Sequence, residues 1–280
     1  MKRIEDTGVV PAIYTAHHAS HDFGEFASRV ALTEEQMIRF SDYGTDQTVP
    51  LNGIVTIIAE RSRALGDLNR DPEDPQRFQD KDYGRPERHD IWVEGNGLTE
   101  NDKQFCQDNL YTPFHDAIVD ELKARSDLTF VVSWDNTAHY EVGDDDAGNP
   151  VMMKPFILSN RGKQDSTGPG DEAVSCDPEF MKLLVKHFTD ELASSGLPNE
   201  IHLNLVMKGG YICRRYSTLR NKLELESLGI SCEVQSLQVE YDTNITHDQT
   251  TLEADTEKMK LLRVAFSSAI ERAYTEYLAI

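Results

Sequence analysis

The run Leu128-Thr129-Phe130-Val131-Val132-Ser133-Trp134 is the feature that most constrains the fold. It is short, apolar and β-branched without polar alternation, the pattern of a strand buried on both faces. Such a strand needs a covering layer on each side, and the flanking sequence offers helices. Before it, residues 99–125 place Phe105, Leu110, Phe114, Ile118 and Leu122 on one helical face, with Thr99 and Asp102 at capping-box positions. Pro113 inside that pattern predicts a kink or a break into two helices. After it, residues 177–195 read as a helix ended by Gly196-Leu197-Pro198, and residues 256–278 as a last helix. Further strands are expected over residues 9–15, 201–206 and 236–241, while residues 51–58 fit a strand or a buried helix start. Residues 71–88, dense in Pro, Asp, Arg and Gln, read as a long loop, and residues 144–148 as a solvated turn. The alternation predicts one α/β domain over residues 1–280, with a mostly parallel sheet.

The chain has 280 residues, enough for one large α/β domain. Lys and Arg number 28 against 49 Asp and Glu, a formal net charge of −21. That balance argues against a nucleic-acid surface, which needs clustered cations. It also means that an acidic ligand must be caught by a local nest of arginines in a cleft. Cys106, Cys176, Cys213 and Cys232 lack paired metal spacing. With no signal-peptide pattern at the N-terminus and no run of roughly 20 apolar residues, a cytoplasmic location with reduced thiols and no membrane contact is expected. The oligomeric state is not legible.

Several polar fragments stand at or just beyond expected strands. His18 and His21, with His17 beside them, are spaced to meet one metal ion, or else are exposed or capping residues. Arg63 precedes Asp67-Leu68-Asn69-Arg70, where an arginine can grip a carboxylate and Asn69 can add a hydrogen bond; a plain Asp67–Arg70 ion pair is the alternative. Lys208-Gly209-Gly210-Tyr211 permits a close backbone approach, and Arg214, Arg215 and Tyr216 follow it. Glu240, between apolar neighbours in a strand, is a candidate general base if buried and a surface residue if the strand is an edge. His115 reads as a helix-surface or core residue. The glycine-rich residues 162–170 lack the ending of a phosphate loop, so nucleotide binding is not expected.

In order and spacing these fragments resemble the N-formylglutamate amidohydrolase (deformylase) family. The resemblance rests on His18-Ala19-Ser20, on Arg63 with Asp67-Leu68-Asn69-Arg70, on Pro113-Phe114-His115, on the run from Lys208 to Tyr216, and on Gln238-Val239-Glu240. It implies a fold akin to zinc carboxypeptidases and aspartoacylase, a twisted mixed sheet of about eight strands with helices on both faces. It further implies one bound Zn2+, water as nucleophile, and hydrolysis of N-formyl-L-glutamate to formate and glutamate, a step of histidine degradation. In that reading Glu240 is the base and Arg70 or Arg63 steadies the oxyanion. Arg63, Asn69, Arg70, Lys208, Gly210, Arg214 and Tyr216 would hold a small acidic N-acyl amino acid.

One departure matters. Where the family has Asp-x-His-Ser after the central strand, this chain reads Asp135-Asn136-Thr137-Ala138, so Thr137 replaces an expected zinc-ligating histidine. His139 lies two residues on, and His18, His21 and His139 form the expected ligand set, with Asp46 a further oxygen candidate. The departure leaves two rivals to a deformylase: another N-acyl-amino-acid deacylase, and a binder of acidic amino acids that has lost catalysis.

Overall fold

The structure is a computed structural model and describes residues 1–82, 88–138, 141–144, 150–168, 172–205 and 207–280. Among these residues nine strands form in chain order: β1 Lys2–Glu5, β2 Ala12–Ala16, β3 Val55–Ile58, β4 Thr129–Thr137, β5 Glu141–Asp144, β6 Pro150–Met152, β7 Phe156–Ser159, β8 Ile201–Leu203 and β9 Val234–Asp242. Seven of them build one mixed sheet in the order β1-β3-β2-β4-β9-β7-β8, and β5 and β6 pair separately. β3, β2, β4 and β9 run parallel to one another, as do β7 and β8; β1 and β7 pair antiparallel with β3 and β9. The α/β class and the mostly parallel sheet agree with the sequence reading.

The helices are α1 Glu34–Phe40, α2 Thr45–Thr48, α3 Glu100–Cys106, α4 Thr112–Lys123, α5 Pro178–Ser194, α6 Tyr211–Arg215, α7 Thr218–Ser227 and α8 Thr256–Tyr277. Residues 99–125 do break near Pro113. A π-turn over Gln107–Tyr111 separates α3 from α4, and Pro113 falls in the first turn of α4. Without an N–H, and with a ring that crowds the carbonyl four residues back, proline is accommodated by a widened turn. The capping box of Thr99 and Asp102 starts α3.

Alternation along the central strands sorts residues between two cores. Tyr14, Phe130, Val132, Trp134, Leu237, Val239 and Tyr241 point toward α5 and α8, where Phe180, Phe188 and Phe266 meet them. Phe130 stacks on Phe180 with centroids 4.3 Å apart. Ile13, Val131 and Val234 point the other way, against Phe114, Ile118 and Leu122 of α4 and Ile212 of α6. On that second face the next residues at the period of two are polar: Thr15 and His17, Ser133 and Asp135, Ser236, Gln238 and Glu240. All are buried, and Asp135 lies directly opposite Glu240 in the β4–β9 register. One sheet face thus turns from apolar to polar toward the carboxyl ends of its parallel strands, where open α/β sheets place their ligand crevices. None of the helices among the described residues is long and apolar enough to cross a membrane.

Candidate active site

A cavity of about 1150 Å³ opens over this polar end. Its floor is formed by His18, Asp42, Asp67, Asp135 and Glu240, and its walls include Arg63, Asn69, Arg70, Lys208, Gly210 and Arg214.

The deepest groups are histidines and carboxylates in unusual density. The chain leaves β2 straight into His17 and His18, whose rings meet edge-on with centroids 4.1 Å apart. His18 Nε2 lies 2.7 Å from Asp67 Oδ1, and its Nδ1 lies 3.2 Å from Asp42 Oδ2 and 3.6 Å from Asp135 Oδ1. A backbone bond from Asp42 N–H to the His18 carbonyl brings Asp42 there from the turn after α1. Burial and the Arg63 charge push the His18 pKa down, but Asp67 and Asp42 outweigh them and raise it to about 9. Asp67 itself is held well below the carboxylate range: burial opposes ionisation, and Arg63, at 2.8 Å, and His18 overcome it. Because an ionised Asp67 only accepts, His18 Nε2 donates to it, and with the pKa at about 9 Nδ1 also carries a proton at neutral pH, directed at Asp42 and Asp135.

His17 and Asp135 are the unsatisfied pair. His17 Nε2 lies 3.0 Å from Asp135 Oδ1, yet the alignment does not make a hydrogen bond, and both atoms, with His17 Nδ1, are buried without a hydrogen-bonding partner. Asp135 Oδ2 is better served, accepting from Ser133 Oγ and Gln238 Nε2, each at 3.0 Å. Gln238 also donates to Glu240 Oε1 at 2.5 Å. Burial, then Asp135, then Asp42, push the Glu240 carboxyl well above its ordinary range. Burial and Asp135 raise Asp42 too, although His18 opposes them. Four carboxylates crowded around two imidazoles, with unpartnered polar atoms on His17 and Asp135 between them, form a donor set suited to a divalent cation. Ligand atoms of His17, His18 and Asp135 lie within 4.8 Å of one another.

The walls are tied together by the motif residues. Asn69 Oδ1 accepts from Ile212 N–H at 2.9 Å, and its carbonyl accepts from Tyr211 N–H at 3.0 Å. Gly210 N–H donates to Gln238 Oε1 at 2.9 Å. A Cβ at Gly210 would fall 2.3 Å from Asn69 Nδ2, so only glycine lets these two turns close. Arg70 reaches Asp74 at 3.2 Å and Asp67 at 3.4 Å, and Arg214 pairs with Asp71.

His115 and Tyr216 brace this wall from behind. The Leu68 carbonyl can only accept, so His115 Nε2 donates to it at 3.1 Å, and Nδ1 accepts from the Tyr216 hydroxyl at 2.8 Å. Tyr111 Oη donates to the Arg70 carbonyl at 2.8 Å. Tyr216 is fully buried and does not line the cavity, so it positions the wall rather than touching a ligand. Burial, reinforced by the Arg215 charge, pushes the His115 pKa from 6.5 down to about 3. Between those values the folded protein binds fewer protons than the unfolded chain, so the stability owed to neutral His115 is complete above pH 6.5 and drains away as pH falls toward 3. Denaturant unfolding from pH 7 to pH 4 should show wild type losing up to ~1.4 kcal/mol more per unit than His115→Gln. Equal slopes would mean that His115 does not carry this linkage.

Of the residues singled out in the sequence, the cavity gathers His18, Arg63, Asn69, Arg70, Lys208, Gly210, Arg214 and Glu240. His21 is not among them. It lies in the turn before the short 3-10 helix Gly24–Arg29, its ring centroid 5.9 Å from that of Tyr43, because H-x-x-H spacing fixes a shared face only in a regular helix. Asp46 is exposed on α2; Asp42, one turn earlier, reaches the floor instead. His139 lies outside the described residues. Sequence reasoning gave no role to His17, Asp42 or Asp135. The period-two series Ser133-Asp135 beside Ser236-Gln238-Glu240 is the signal that points to Asp135, whereas nothing local marks Asp42.

The sheet order, the parallel central strands and a polar cavity at their carboxyl ends define a ligand crevice of the kind that open α/β sheets form there. A family model, N-formylglutamate amidohydrolase, matches residues 10–232. The chain belongs to that family. By fold it is similar to N-formylglutamate amidohydrolase from Ralstonia eutropha JMP134, with a TM-score of 0.69 at 14% identity over 100% of this chain and 99% of that one. A gene product of Agrobacterium tumefaciens is similar with a TM-score of 0.60 at 14% identity, over 99% of this chain and 95% of that one. No curated protein matches the chain by sequence.

Proposed function

We propose that this protein is a metal-dependent amidohydrolase that removes the formyl group from an N-formyl acidic amino acid, N-formyl-L-glutamate first among them. The observation that carries the reading is the orphaned contact between buried His17 and Asp135, the latter on the floor beside His18 and Glu240, in a cavity walled by arginines. Family membership supports the amide as the bond cleaved and formylglutamate as the substrate.

His17, His18 and Asp135 would hold the metal, with Asp42 beside them, and zinc suits this mixture of imidazole and carboxylate. A divalent cation there supplies Lewis-acid polarisation of an acyl oxygen and acidifies a water. Asp67 fixes the His18 ring by accepting its Nε2 proton, which keeps Nδ1 directed at the carboxylates. Glu240 is buried and raised in pKa, so its oxygen is suited to take a proton from water and pass it to the departing amine nitrogen. Gln238, held by Gly210 N–H, keeps the Glu240 carboxyl in place. Arg63, paired with Asp67 and near Asp42, lines the cavity where its charge would steady negative charge on the acyl oxygen, and Arg70 and Arg214 lie at the cavity wall where carboxylates would dock.

The cavity is roomier than the usual upper range of about 1,000 Å³ for small-ligand sites, which favours, as a second reading, a deacylase for longer acyl groups. Product release from N-formyl, N-acetyl and N-succinyl derivatives of glutamate and aspartate separates the two. The deformylase reading expects formate release from N-formyl-L-glutamate, with kcat/KM at least about tenfold above every other compound. Preference for a longer acyl group would replace it with the second reading, and no turnover with any metal would remove both.

A further inference from the structure

Arg161 is a cavity-lining cation that neither the sequence motifs nor the chemistry above employs. It follows β7 with φ at 61°, a left-handed backbone disfavoured for any residue but glycine. Buried side chains hold it there. Asn160 donates to the carbonyls of Ser166 and Cys176 at 2.9 and 2.8 Å, and accepts from Gly162 N–H and Asn204 Nδ2 at 3.1 and 2.8 Å. Asn204 Oδ1 accepts in turn from Asn160 N–H at 2.9 Å. Two buried asparagines thus fix the direction in which Arg161 leaves the sheet, the kind of support that a ligand-orienting residue requires.

The guanidinium so placed is underused. Nη1 donates to the Gly209 carbonyl at 2.6 Å, and Nε is buried with no partner. Arg63, Arg70 and Arg214 each meet a carboxylate, whereas among the described residues Arg161 and Lys208 line the cavity and meet none. Glu172, whose charge acts on Arg161, pairs with Arg220 at 3.4 Å. Burial, then the Arg220 charge, hold the Arg161 pKa below its usual range, against the opposing pull of Cys213 and Glu172. In a chain of net charge −21, a half-buried guanidinium without an acid is an imbalance that an anionic ligand would correct. Arg161 follows β7 and bonds the Gly209 carbonyl, so it stands on the cavity wall beside the Lys208–Gly210 turn rather than among the histidines and carboxylates of the floor. With the scissile amide at the floor, this wall is the part of the cavity left for the substrate's distal carboxylate.

We propose that Arg161, with Lys208 beside it, holds the side-chain carboxylate of the substrate and sets the preference for an acidic over a neutral amino acid. The proposal rests on the amidohydrolase reading for the identity of that substrate. Its test compares kcat/KM for N-formyl-L-glutamate and N-formyl-L-glutamine in wild type, Arg161→Met and Arg161→Lys, with calorimetric binding of L-glutamate and L-glutamine alongside. The glutamate-to-glutamine ratio should fall about 100-fold in Arg161→Met and recover in part in Arg161→Lys, as expected for loss and partial return of a charge-assisted contact. A merely structural role, supporting the Gly209 turn, would lower both substrates equally and leave the ratio unchanged, which overturns the proposal. If wild type hydrolyses neither compound, the amidohydrolase reading fails, and calorimetry decides Arg161 separately. A wild-type preference for L-glutamate that Arg161→Met loses supports it, and no such preference overturns it.

Discussion

Replacing Glu240 by Gln should lower turnover of N-formyl-L-glutamate by about 10³-fold while metal content stays at the wild-type level. The two readouts separate because Glu240 lies beside the histidine–aspartate group rather than within it. Asp135 sits across from it in the β4–β9 register, and Gln238 bridges the two carboxyls with one amide nitrogen. An amide of nearly the same shape keeps the packing but cannot accept a proton. The substitution also removes a carboxyl that shares its burial with Asp135 and Asp42, so the melting temperature should hold or rise, since crowded buried acids destabilise one another. Formate release, metal analysis and a thermal melt check the three expectations. A variant with near wild-type kcat would remove Glu240 as the base.

Asp135→Ala and His17→Gln should each weaken binding of a divalent ion by at least about 100-fold, whereas His21→Ala should leave it unchanged. Asp135 Oδ1 and both His17 nitrogens are buried without hydrogen bonds, so their present arrangement has an unmet cost that a cation would relieve. His21 instead packs its ring against Tyr43, apart from the His17–His18–Asp135 group. Zinc titration with a competing chelator gives the dissociation constants. Loss of zinc in His21→Ala with retention in Asp135→Ala would restore the histidine triad suggested by spacing and refute the set drawn from the fold. Asp135→Ala also frees the Gln238 amide from one acceptor, so a modest fall in stability should accompany the loss of metal.

Much of the architecture was legible because it is written in local periodicity. The unbroken apolar run before Asp135 could only be a covered strand, and it is β4 at the centre of the sheet. Pro113 announced the interruption between α3 and α4, since one missing N–H acts on its own turn. The motif residues Arg63, Asn69, Arg70, Gly210, Arg214 and Glu240 could be picked out as polar or glycine positions adjoining strands, and they do line one cavity. Tyr216 looked like a ligand contact because it closes a motif. Its hydroxyl instead supports His115, and the direction of a side chain at a helix end depends on what packs against it.

The sequence by itself determined the class of fold, the strand that anchors it and the family to which the chain belongs, because hydrophobic period and short motifs are properties of neighbours along the chain. Only the tertiary structure decided which acids and imidazoles share the floor. Asp42 reaches His18 from 24 positions away and Asp67 from 49, through a backbone bond and a buried side-chain contact respectively. A cluster of that kind is fixed by how strands cross and turns fold back, and charge crowding in a buried space is a property of the assembled sheet rather than of any segment in it.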